Sequence, residues 1–227
     1  MNWYRMLYER PSGAVDRPDP PRPKGLKLLG YVFVRQWWDL IWLNILFWAF
    51  SLPIITLPAA LKAMTKVCVT MLEEDRVELW QEFWGAFRED FLKTTLVGAA
   101  MAAMLGICLA GLWVCGGLMV ESGLFAAPGI LLLIALAVLC MSQFSLYPML
   151  AFGGLSAGQL LRNAVLLTMV NLPRHLGALV LLIVLVVLYL VGYPYSTVAL
   201  AAILLSAFWL CACCAVWPGV KRYVFRK

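Results

Sequence analysis

Three stretches without a single Asp, Glu, Lys or Arg constrain this chain more than any other feature: residues 94–120, 122–161 and 175–220. Each exceeds the roughly 20 residues an α-helix needs to cross about 30 Å of hydrocarbon. The third is interrupted only by the turn-like Tyr193-Pro194-Tyr195-Ser196. Charged residues make up 13% of the 227-residue chain and mean hydropathy is +0.87, whereas a soluble domain carries roughly 25% charged residues. The expected fold is an all-α, polytopic membrane bundle.

Basic residues set the topology. Seven precede the first apolar segment (Arg5, Arg10, Arg17, Arg22, Lys24, Lys27 and Arg35), five lie between residues 62 and 93, two are Arg162 and Arg174, and four lie in the C-terminal Lys-Arg-Tyr-Val-Phe-Arg-Lys. The connections at 118–126 and 192–196 have none. By the positive-inside rule the two bare connections face outward, and the basic clusters face the cytoplasm. Prolines 11, 18, 20, 21 and 23 make the N-terminal tail extended, and its polar, charged character does not fit a cleavable signal peptide. The expected organisation is a cytoplasmic tail at 1–30, a helical membrane domain at 31–220 and a basic cytoplasmic tail at 221–227.

The stretch Ser-Leu-Pro-Ile-Ile-Thr-Leu-Pro at 51–58 decides the number of membrane segments. One spanning helix over 36–57 followed by a cytoplasmic 58–93 gives five segments and leaves seven basic residues outside. A turn at 51–55 with a return through 56–72 gives six and places both termini in the cytoplasm. Proline suits the turn because it lacks a donor and restricts its predecessor. The first segment pair is therefore a hairpin, either spanning or re-entrant. On its return arm Lys66 can snorkel, whereas Lys62 lies deeper and needs a carbonyl, an acidic partner or a water-filled cavity. The full plan is three hairpins, 36–72, 94–150 and 175–217, with five to six membrane segments. Gly98, Gly106, Gly111, Gly116 and Gly117 allow close helix approach, so the segment after residue 94 is expected at the centre of the bundle.

Two further stretches have helical periodicity. Over residues 78–93, Trp80, Phe83, Trp84, Phe87 and Phe91 share one face, with Gln81, Glu82, Arg88 and Glu89 on the other. Such a helix is suited to lying at the membrane interface on its aromatic side. Residues 73–93 hold seven acidic side chains against three basic ones. Glu78, Glu82, Phe83, Phe87, Arg88 and Glu89 are therefore either a solvated interfacial surface or a docking helix for a basic partner. Residues 156–170 form a plainer amphipathic helix before the third hairpin.

Catalytic chemistry is not legible. Gly153-Gly154 lacks the Lys-Ser/Thr of a phosphate-binding loop, and the net charge of +6 sits in flanks that topology explains, so nucleic-acid binding is not expected. The seven cysteines lie in apolar segments. Cys211, Cys213 and Cys214 lack a neighbouring His, Asp or Glu, and small packing residues are expected rather than a metal site. No cofactor is expected. His175, beside Arg174, is expected at the interface, and Asp39 is four residues after Arg35, the spacing of a helical ion pair. Asn44, Ser51, Thr56, Lys62 and Gln143 are the candidate polar membrane site.

The run Leu43-Asn44-Ile45-Leu46-Phe47-Trp48, then Ser51-Leu52-Pro53-Ile54-Ile55-Thr56 and Pro58-Ala59, resembles the YesL-like family of uncharacterised bacterial membrane proteins. Phe83, Phe87, Arg88 and Phe91 match its aromatic amphipathic stretch, and Asn163 and Asn171 its second, asparagine-containing one. Leu57 stands where glycine is usual, and Leu61 where threonine is usual. The resemblance covers roughly residues 25–220. It implies, through the carbohydrate-uptake genes that such proteins tend to accompany, a non-enzymatic accessory or regulatory partner of a sugar transporter or sensor in the bacterial plasma membrane. The alternative is a small transporter or channel for a small solute, using a polar path near Asn44, Lys62 and Gln143.

Overall fold

The structure, a computed structural model, describes residues 26–74, 76–119, 125–193, 197 and 204–224. Most of the N-terminal tail, the turn expected at Glu121-Ser122-Gly123 and Pro194 lie outside the described residues. Nine α-helices are described: α1 Leu26–Arg35, α2 Trp37–Ser51, α3 Leu57–Glu73, α4 Leu79–Arg88, α5 Phe91–Met119, α6 Ala126–Phe152, α7 Ala157–Val170, α8 Leu172–Val191 and α9 Leu205–Tyr223. A 3-10 turn at Ile54–Thr56 joins α2 to α3. Among the described residues, four helices are long and apolar enough to cross a membrane: Ile54–Glu73, Phe91–Leu118, Ala126–Phe152 and Leu172–Val191.

The bend at 51–56 forms where the prolines require it. Ser51 Oγ donates to the Trp48 carbonyl at 3.2 Å, and the Thr56 hydroxyl lies 2.6 Å from both the Phe50 and Pro53 carbonyls, to which it donates. The bonds to Trp48 and Phe50 engage carbonyls at the end of α2, and the Pro53 carbonyl also accepts the Thr56 N–H at 2.9 Å. Pro58 sits in the first turn of α3, where a missing N–H is harmless. The first hairpin is therefore present, with α2 and α3 as its arms.

The central helix is α3, not α5. In the 18-residue apolar window of Ile54–Glu73, 61% is buried, against 17% in that of Phe91–Leu118. The expectation of a glycine-rich centre fails because small residues permit close approach without compelling it. A side chain at Gly106, Gly116 or Gly117 would meet nothing within 4 Å. Gly98 does use its freedom: a Cβ there would lie 2.3 Å from Cβ of Pro58. The close approach for which the bend lacks a glycine at Leu57 is made by α5 instead.

Contacts between helices fix their relative height. Gly111 of α5 faces Leu132 of α6, so equal rise in these antiparallel helices brings Gly98 near the level of Ser145. Ser145 is bonded to His175 of α8. Pro58, Gly98, Ser145 and His175 thus share roughly one level. Beyond it α5 continues to Met119 for about 30 Å and α8 to Val191 for about 24 Å, presenting Ile107, Trp113, Ile134, Val184 and Leu190 outward. On the other side lies the dense core, formed by α3, the end of α6, and α9. Trp209 of α9 donates to the Thr65 hydroxyl at 2.7 Å, Trp217 donates to Glu73 at 2.9 Å, and Lys221 pairs with Glu73 at 2.5 Å. α9 therefore runs parallel to α3, and Ser206 ties it to the Leu40 carbonyl of α2 at 2.9 Å.

Two side chains have partners that the sequence did not name. His175, near the start of α8, is fully buried against α6. Its Nδ1 lies 3.1 Å from the Asn171 carbonyl and its Nε2 2.5 Å from Ser145 Oγ. The carbonyl can only accept, so Nδ1 carries the proton and Nε2 accepts from the serine. Arg35 makes no ion pair with Asp39; its guanidinium hydrogen-bonds the Tyr31 hydroxyl, also one turn away.

Candidate functional site

The sequence-derived polar residues do not converge on one point. Asn44 is buried within α2, and Ser51 and Thr56 tie the bend. Lys62 and Gln143 belong to two different features around the first turns of α3.

The first feature is a charged clamp. Lys62 is 1% exposed, and its ammonium donates to the Glu89 carbonyl at 2.7 Å. The Glu89 carboxylate is farther, at 4.0 Å, so the carbonyl is the principal partner. Two of the partners that the depth of Lys62 demanded are thus supplied. Lys66 lies 4.0 Å from Glu82 and 3.9 Å from Glu89 in a more exposed setting, where ion pairs contribute little. The clamp holds the α4–α5 turn, in which Asp90 adopts the left-handed conformation (φ 49°), a region that Asp tolerates better than most residues. Lys62→Met keeps the stem of the side chain but leaves the Glu89 carbonyl without its cation. A charge-assisted bond of this kind contributes about 1.5–3 kcal/mol, so the variant is expected to melt at lower temperature and to be cut faster by protease at the 88–91 turn. Unchanged cleavage would show that the clamp does not hold the turn.

α4 closes over this clamp and changes the picture of the aromatic helix. Part of its aromatic face is folded onto the protein. Phe83 and Ala86 are buried, and Phe50 from the end of α2 lies 5.1–5.6 Å from the rings of Phe83, Trp84 and Phe87. A wide apolar face has the same periodicity whether protein or lipid covers it. Glu78, Gln81, Gly85, Arg88, Glu89 and Trp80 stay exposed, the last 58% exposed and stacked on Trp84 at 6.1 Å.

The second feature was not anticipated. A cavity of about 630 Å³ lies between the bend, α5, α6 and α9. Ile54, Pro58 and Leu61 line it from the hairpin, Thr95, Gly98, Ala99, Ala102 and Leu105 from α5, and Cys140, Gln143, Phe144 and Tyr147 from α6. Both sets repeat every three to four residues, so each is one helix face. That spacing is visible in the sequence. Which of the several small-residue faces of α5 borders a void is set by where α3 stops.

These elements define a polytopic helical membrane protein whose charged clamp and cavity are built around a bent first hairpin. Residues 40–112 match the family described as "Protein of unknown function, DUF624". The match runs from α2 through the bend, α3 and α4 to the cavity-lining face of α5. It is consistent with the likeness to the YesL-like proteins, which it does not name. No curated protein and no solved structure matches the chain.

Proposed function

We propose that this chain is a non-enzymatic accessory protein of a carbohydrate-uptake system in the bacterial plasma membrane, docking its partner through the exposed edge of α4. The observation that supports docking is Trp80: a large aromatic side chain, stacked in place by Trp84 and flanked by exposed Glu78 and Gln81. Rigid, solvent-facing tryptophans are the usual anchors of protein interfaces. The sugar-uptake partner follows from the resemblance to the YesL-like proteins. A transport path has less support, because Lys62 is engaged by Glu89 and Gln143 lines a cavity that Asn44 does not.

In the accompanying topology α5, α6 and α8 cross the bilayer. The chain then returns, because α9 is bonded to α2 and α3 at the level of the charged end. Both termini lie in the cytoplasm. The first hairpin re-enters from the cytoplasmic side: its tip meets α5 at Gly98, near the start of that helix, with about 30 Å of apolar helix still beyond.

Co-purification in mild detergent tests the docking. Trp80→Ala with Glu78→Lys is expected to lower recovery of the transporter or sensor subunit at least tenfold. Both positions are exposed, where substitutions usually change stability by no more than about 0.5 kcal/mol. Recovery equal to the unaltered protein would overturn the reading.

A further inference from the structure

The cavity at the hairpin tip has a polarity and a shape that select its occupant. Its α5 wall, from Thr95 to Leu105, is about 15 Å long. The chamber is thus elongated along the helices that cross the membrane, which is also the direction of the lipid tails. Its polar groups gather toward one end. Thr95 and Tyr147 lie at the level nearest the charged clamp, and Gln143 lies one turn deeper. The remaining wall, with Ala102, Leu105, Cys140 and Leu182, is apolar. Ile54 and Ile55, both exposed at the tip, form part of the chamber's lining. Its volume lies within the range of ligand sites, roughly 300–1,000 Å³.

From this arrangement we infer that the cavity is a binding site for one acyl chain of a membrane phospholipid. The chain enters sideways past Ile54 and Ile55, its ester carbonyl accepts a hydrogen bond from the Gln143 amide, and its tail runs toward Leu105. A small polar solute would leave most of the wall unmatched. A pure hydrocarbon would leave the Gln143 amide unmatched. An ester-linked lipid matches both ends of the chamber, and the bilayer supplies it at the mouth. The inference stands apart from the docking of a partner on α4.

Native mass spectrometry of the full chain tests it, after detergent exchange and incubation with a diacyl phosphatidylglycerol or its ether-linked analogue. The unaltered protein is expected to retain one diacyl lipid and to hold the ether analogue at least several-fold less. Ala102→Phe fills the chamber and is expected to reduce retention at least tenfold. Ala103→Phe, on the same helix but outside the lining, is expected to retain the lipid, so a loss specific to position 102 is not a failure to fold. Gln143→Leu should lower retention of the ester lipid toward that of the ether analogue. The site is refuted if the unaltered protein retains no lipid, or if Ala102→Phe retains as much as Ala103→Phe. Equal retention of ester and ether lipids by the unaltered protein would overturn the carbonyl contact.

Discussion

Gly98→Ala is expected to lower the thermal unfolding midpoint by several degrees, although alanine is the better helix former. The added Cβ would lie 2.3 Å from Cβ and 2.5 Å from Cγ of Pro58, where carbon atoms prefer about 3.5–4.0 Å. The proline ring cannot rotate away, and the α3 backbone stands behind it at 3.7 Å. The helices must separate, and overpacking of this kind costs about 1–3 kcal/mol. Gly106→Ala on the same helix is the matched control. With nothing within 4 Å of its Cβ, it is expected to be neutral or slightly stabilising. Circular-dichroism melts in one detergent compare the two directly. If Gly98→Ala melts no lower than Gly106→Ala, α5 does not rest on the bend.

Phe83→Ala is expected to be the most destabilising single change on α4, by about 3–5 kcal/mol, the usual range for truncating a buried phenylalanine. The Phe83 ring is fully buried, 5.6 Å from Phe50 and 6.4 Å from Phe87, and such ring pairs add about 0.5–1.5 kcal/mol beyond burial. Phe83→Leu should recover most of the loss because volume is nearly conserved. Trp80→Ala should change stability little. Thermal and denaturant unfolding of these three variants separate the two placements of the helix. Were the aromatic face on lipid, Phe83→Ala and Trp80→Ala would have similar small effects on unfolding.

The residues behind these predictions differ in how far the sequence exposes them. The bend is legible because proline chemistry is local: Pro53 and Pro58 act on their own and the preceding backbone. Lys62 is legible as a residue in need of a partner, since an ammonium that deep cannot remain bare. That the partner is the Glu89 carbonyl, 27 residues away, depends on α4 folding back along α3. The cavity was missed because each of its walls reads as an ordinary helix face. Placing α5 at the centre followed from counting glycines, and the opposite cue was present. Of the four candidate spans α3 is the least apolar and the most buried, as expected of a helix that faces protein rather than lipid.

By itself, then, the sequence determined the helical class, the positions of the apolar runs, the bend and the periodicity of α4. Each depends on backbone chemistry or on side-chain spacing within a single segment. Only the tertiary structure decided which helix is enclosed, where His175 and Phe83 are buried, and that a polar-ended chamber lies beside the bend. An apolar helix face is equally at ease against lipid or against another helix, because the hydrophobic effect that sorts inside from outside in water does not distinguish them in a bilayer. What distinguishes them is shape, set here by Pro58 against Gly98 and by the rings gathered around Phe50.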